Sequence, residues 1–165
     1  MKPSIYLVAD NLPGKLYIMP KPSGEWLKED VEHYGLIGID MIISMLERDE
    51  ASELMLERQG EVCKEQRLAF TQFPIVDRGL PEIEPFRNLV VNIIDNLKNG
   101  KNIAVHCRAG IGRSGIVVCS ALLGFGYSPT DAMKLTRQAR GVEVPDTEQQ
   151  REFIGQMASV LSGTS

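Results

Sequence analysis

The sequence has no apolar run approaching the roughly 20 residues that a membrane-spanning helix needs, so no membrane span is expected. Cysteine is scarce. Cys63, Cys107 and Cys119 form an odd set without metal-ligand spacing, which argues against a disulfide framework and for a reducing compartment. Basic charge is lacking too: a net charge of −4 argues against nucleic acid as the main partner. A local basic pocket on an acidic protein still suits a small anion. No internal repeat, low-complexity tract or linker interrupts the 165 residues, a length that fits one domain, residues 1–165, with a sizeable core. The opening Met1-Lys2-Pro3-Ser4 leads into a strand-like run ending at Asp10, not into a signal-peptide core, and a cytoplasmic protein is the simplest reading.

What is present is an alternation of strand and helix patterns. Ser4–Ala9 and Lys15–Met19 read as short strands around the turn Asn11-Leu12-Pro13-Gly14. A helix is expected over Ser23–Tyr34 with Ser23 as a cap, a buried strand over Ile39–Leu46, and a helix from Asp49 to about Arg58. Leu68–Ile75 reads as a strand running into a loop. From Glu84 to Lys98, Phe86, Leu89, Val90, Ile93, Ile94 and Leu97 recur at steps of three and four, an amphipathic helix stopped by Asn99-Gly100. Ile103-Ala104-Val105 is a short strand, and helices are expected over Ser114–Phe125, Pro129–Arg140 and Thr147–Leu161. The interleaving predicts an α/β fold with a central, mostly parallel sheet of about four to five strands flanked by helices. Ligands of such folds gather at strand carboxyl ends, which directs attention to the segment after Val105.

If Cys107–Arg113 wraps into a cradle that opens a helix, its backbone N–H groups and the helix N-terminus form an anion site. Arg108, Ala109, Gly110, Ile111 and Gly112 are then the phosphate-binding positions, with the two glycines permitting positive φ and close backbone approach. The same field favours the thiolate of Cys107, the reactive form of cysteine. Arg113 can close the loop and offer a planar fork to two phosphate oxygens. Ser114 is placed to donate a hydrogen bond to the cysteine sulfur.

The string from His106 to Gly115 resembles the signature loop of the protein tyrosine phosphatase superfamily, H-C-x5-R-S/T, and its A-G-x-G-R-S part resembles the dual-specificity branch. A match of ten residues between a strand and a helix is far more specific than a bare C-x5-R. The resemblance implies a cysteine-phosphatase fold and hydrolysis of phosphate monoesters through a phosphocysteine on Cys107, with no cofactor and no metal. Pro74–Pro81 resembles the mobile general-acid loop of that branch, with Asp77 standing 30 positions before Cys107. An alkoxide leaves poorly until it is protonated, so Asp77 would protonate the leaving oxygen and then activate water. Pro145–Phe153 resembles the family's glutamine segment, which makes Gln150 a candidate to approach that water. Thr147-x-x-Gln150 is equally a capping box that starts a helix whatever the chemistry.

His106 is read as tuning Cys107 through hydrogen bonds rather than as a base, and His33 as a surface helix residue. Cys119 reads as a core residue, with a resolving thiol as the other reading; Cys63, in a polar segment, has no assigned function. Lys134, Arg137 and Arg140 have the pattern of a solvated helix face, although in the family the corresponding helix packs near the pocket and can attract substrate. No segment resembles the recognition loop of the larger, strictly tyrosine-specific enzymes. This implies a shallow pocket that admits phosphoserine and phosphothreonine as well as phosphotyrosine in protein or peptide partners. Arg108 adds a cation of the kind seen in phosphoinositide phosphatases, but Ile111 stands where those have a second basic residue, leaving phosphoinositide the minor reading. A rhodanese-type sulfurtransferase and a non-catalytic phosphoprotein-binding module are the competitors. Asp77 weighs against the first, and the presence of both Cys107 and Arg113 against the second.

Overall fold

A computed structural model describes residues 2–163. Its sheet has five strands, β1 (Tyr6–Ala9), β2 (Leu16–Met19), β3 (Met41–Ser44), β4 (Ala69–Gln72) and β5 (Ile103–His106), in the order β1-β2-β5-β3-β4. Only the β1–β2 pair is antiparallel; β2–β5, β5–β3 and β3–β4 are parallel. The expected mostly parallel sheet is therefore present, with β5 at its centre and buried along its whole length, as an apolar strand covered on both faces must be.

Among the described residues, seven helices connect and cover the strands: α1 (Leu27–Leu36), α2 (Arg48–Glu53), α3 (Gln59–Glu65), α4 (Ile83–Lys98), α5 (Gly112–Leu123), α6 (Pro129–Arg140) and α7 (Glu148–Ser162). One core lies between the sheet and α4–α7. It takes in Phe86, Leu89, Val90, Ile93, Ile94 and Leu97, the six residues that the α4 periodicity singles out. The other, on the opposite face, packs Leu27, Val31 and Tyr34 of α1 against Val62 and Cys63 of α3. Cys63 is thus a core residue despite its polar sequence neighbours. The α5 helix is buried from Arg113 to Leu122, which is why its sequence is apolar on every side rather than along one stripe.

Local chemistry sets the ends of the last helices. Ser128 caps α6 by accepting from the Asp131 amide at 3.1 Å, Pro129 opens its first turn, and Gly141 closes it in the left-handed region at φ 78°. Thr147 and Gln150 form the expected capping box at α7. Two expectations fail. The first helix begins at Leu27, because Ser23 accepts from the Trp26 amide in a preceding turn instead of capping the helix. The helix expected from Asp49 to Arg58 ends at Glu53: Met55 turns to φ 59°, Leu56 is buried, and a separate α3 follows.

Candidate active site

The three central parallel strands end in register, Met19 and Ser44 each paired with His106. The segment that leaves His106 therefore emerges in the middle of the sheet's carboxyl edge, between the chains that follow β2 and β3. Five successive carbonyls of this segment accept hydrogen bonds from donors around it. Cys107 O takes the His106 ring at 3.0 Å, Arg108 O the Lys21 amide at 3.0 Å, and Ile111 O the Gly115 amide at 3.0 Å. Arg140 donates through Nη2 to Ala109 O at 3.0 Å and through Nε to Gly110 O at 3.3 Å. In a planar trans peptide the C=O and N–H point opposite ways. Carbonyls held outward leave the amides of residues 108–112 facing inward, the cradle that the sequence suggests. Gly110 adopts φ 73° and lies so close to the Met19 carbonyl that a Cβ would collide with it. Gly112 has no positive φ; there, a Cβ would sit 3.1 Å from both Asp146 Cβ and Gln150 Oε1.

Arg113 reaches back over this cradle with its side chain only 1% exposed. Nη1 donates to Glu50 Oε1 at 2.7 Å and to Ile75 O at 2.9 Å, and Nη2 donates to Glu50 Oε2 at 2.8 Å. Nε is buried and has no hydrogen-bond partner. The guanidinium thus commits its Nη1–Nη2 edge to the protein and leaves Nε without a partner. Asp77, 62% exposed, stands with Oδ1 3.4 Å from Nη2. Burial opposes the Arg113 charge, but the Glu50 hydrogen bonds and the Cys107, Glu50 and Asp77 charges outweigh it and raise the pKa. The hydrogen bond from Arg113 holds Glu50 below the ordinary carboxylate range, against its own partial burial. Cys107, Arg113, Asp77, Arg108, Arg78 and Asp146 surround a cavity of about 170 Å³.

The model of the dual specificity phosphatase catalytic domain matches residues 27–158. The chain belongs to this family. Cyclin-dependent kinase inhibitor 3 of Mus musculus is 27% identical over 141 residues, covering 82% of this chain and 67% of the mouse protein, so the chain spans about two thirds of that relative's length. The fold is shared with a kinase associated phosphatase whose catalytic-site cysteine was replaced by serine (TM-score 0.87, 22% identity, 100% of this chain and 99% of that one). It is also shared with PTPMT1 in complex with PI(5)P (TM-score 0.78, 17% identity, 96% and 97%). As a dual-specificity phosphatase domain the chain is a cysteine-based phosphatase.

Of the residues the sequence singles out, Cys107, Arg113 and Asp77 meet at one cavity with Arg108, Ala109, Ile111 and Gly112 in its wall. The Ser114 hydroxyl is buried and makes no hydrogen bond among the described residues, to sulfur or otherwise. Gln150 is fully buried against the acid loop. Cys119 is core, donating to Thr136 Oγ1 at 3.5 Å, and burial pushes its thiol up to about 12. Arg140 corrects the solvated-face reading: it lies 4.5 Å above the Tyr6 ring and braces two loop carbonyls. Lys134 is exposed as read. Sequence reasoning missed Glu50 and Gln59, whose pairings with Arg113 and His106 span 63 and 47 residues and leave no local signal.

His106 is fully buried, with Nδ1 3.0 Å from Cys107 O and Nε2 2.8 Å from Gln59 Nε2. A carbonyl only accepts and an amide nitrogen only donates, so the ring carries its proton on Nδ1 and is neutral. Burial pulls its pKa from 6.5 down to about 4, the bond to Cys107 O opposing and the Lys21 and Arg113 charges assisting. Between those values the unfolded chain binds the extra proton, so stability falls as pH drops through the window. Denaturant unfolding should show roughly 2 kcal/mol less stability at pH 5 than at pH 7 from this group. In His106→Asn that slope should flatten.

Proposed function

We propose that this domain hydrolyses phosphate monoesters on proteins, phosphotyrosine together with phosphoserine and phosphothreonine, through a phosphocysteine on Cys107. The observation that carries this reading is that Arg113, its Nε unpartnered and its Nη2 3.4 Å from Asp77, lines the same cavity as Cys107 and Asp77. The amides of residues 108–112 and this guanidinium bind the three non-bridging oxygens and stabilise charge spreading over them during transfer. The Cys107 thiolate attacks phosphorus in line, the bond to the leaving oxygen breaks, and Asp77 gives that oxygen its proton. Water then attacks phosphorus, the S–P bond breaks, and Asp77 takes the proton from water. The unpartnered Ser114 hydroxyl is available to donate to the departing sulfur. His106, its two nitrogens occupied, holds the Cys107 carbonyl outward. The relative crystallised with serine at its catalytic-site cysteine supports a cysteine nucleophile.

A second reading, a phosphoinositide phosphatase, is favoured by Arg108, whose side chain is 48% exposed at the cavity. Glu50 Oε2, 3.8 Å from its Nε, draws on that charge, and Ile111 adds none. Protein substrates therefore come first. Turnover of phosphotyrosyl and phosphothreonyl peptides and of phosphoinositide vesicles, all with EDTA present, tests the choice. Peptide turnover should exceed lipid turnover; a lipid preference would overturn it. Within the peptide reading, Asp77→Asn should lose about 10²-fold or more with phenyl phosphate and far less with p-nitrophenyl phosphate, whose phenolate leaves unaided.

A further inference from the structure

In the acid loop, residues 74–80, Ile75 is buried in the core and its carbonyl accepts from Arg113, but the residues after it have little of the core to hold them. Val76 and Leu80 are exposed at 61% and 47%. Its root is fixed where Ile75 N donates to Met45 O at 3.1 Å, and Gly79 N closes an internal turn on Val76 O at 2.8 Å. Beyond these, Asp77 Oδ1 stands 3.4 Å from Arg113 Nη2, and two further contacts tie the tip to the start of α7. Gln150 Nε2 donates to Gly79 O at 3.3 Å, and Arg78 Nη1 pairs with Asp146 Oδ2 at 3.1 Å. The ion pair joins exposed side chains and contributes little on its own. The Gln150 side chain is buried, with its oxygen filled and one of its two N–H groups bonded. Its Oε1 accepts from the Asp146 and Thr147 amides at 3.2 and 3.1 Å, its amide nitrogen holds Gly79, and its head packs where a side chain at residue 112 would lie.

We infer that Gln150 is a positioning residue for the general acid: it fixes the Asp77 loop to the start of α7 and to the phosphate-binding loop, and acts on the reaction through Asp77. The inference rests on the reading of Asp77 as acid. An amide oxygen filled by two backbone N–H groups is not free to accept a proton of the attacking water, and only the second N–H of Nε2 is left to donate. The two roles differ in what they slow. Loss of Asp77 positioning retards cleavage of poor leaving groups as well as breakdown of the phosphocysteine, whereas loss of water positioning retards breakdown alone, a step common to every substrate.

The test uses Gln150→Glu and Gln150→Ala in the full chain. Glutamate is a natural capping-box partner and keeps the acceptor at Asp146 and Thr147, so α7 still starts correctly, but it cannot donate to Gly79. Its added charge burdens all phosphates alike, so the readout is a ratio. Across aryl phosphates from p-nitrophenyl to phenyl, the loss in kcat/KM should grow by about tenfold or more as the leaving group becomes poorer. In an Asp77→Asn background the same substitutions should cost less than about twofold further. A uniform loss with an enlarged burst of phenolate, or an undiminished loss in the Asp77→Asn background, would overturn the inference. If Asp77→Asn itself shows no leaving-group dependence, the reading of Asp77 falls instead.

Discussion

Replacing Cys107 by serine is expected to reduce turnover of p-nitrophenyl phosphate by about 10⁴-fold or more while leaving phosphate binding within a few-fold. A serine hydroxyl becomes a nucleophile only when a base removes its proton. The one imidazole at hand cannot serve, because His106 spends its Nδ1 proton on the carbonyl of residue 107 and its Nε2 lone pair on Gln59. Binding is another matter. The cradle is held from outside by Lys21, Arg140 and Gly115, none of which touches the side chain at 107. Stopped-flow turnover and equilibrium titration with phosphate or vanadate, both in EDTA, separate the two quantities. Residual turnover near the wild-type rate would remove Cys107 as nucleophile.

The second large effect belongs to Arg113. Arg113→Lys should lower kcat/KM by about 10³-fold, on the scale of losing a preorganised donor to a developing oxyanion. The conservative charge does not rescue function because the guanidinium performs two tasks at once. One edge satisfies Glu50 at 2.7 and 2.8 Å and the Ile75 carbonyl at 2.9 Å, while the unpartnered Nε is left for the phosphate. An ammonium has three donors on one atom and can stay with Glu50 or turn to the substrate, not both. Steady-state kinetics of the variant, with stability followed by denaturant unfolding, check this. A loss of less than about tenfold would mean the loop amides alone carry the phosphate.

The places where sequence and structure agree share a physical character. The cradle lies within a run of ten residues between one strand and one helix, so the order of its own residues in the chain is their order in space, although Lys21 and Arg140 hold it from outside. The α4 stripe is read from one helix alone, and the α6 and α7 ends from capping residues within three positions. The places that escaped are those where a side chain meets a partner distant in the chain. Glu50 looks like one more acidic residue on a polar helix until the β3–α2 connection delivers it to Arg113. Gln59 opens a helix just past the one expected to end at Arg58, where the sequence suggests no element, and its buried amide is understood only once His106 is beside it. Arg140 has the sequence context of a solvated face, yet its partners lie 30 and 31 residues back in the phosphate-binding loop.

The distribution of the cysteines sets how the protein meets oxidants. Cys63 lies in the core on the opposite face of the sheet from Cys107, and burial pushes its thiol up to about 12. Cys119 sits seven residues into α5, about 10 Å along an axis that leads away from the loop, too far for a disulfide without unwinding the helix. A sulfenic acid formed on Cys107 would find no second thiol in the fold to condense with. Reduction of such a sulfenic acid would then need a thiol that enters the cavity from solution.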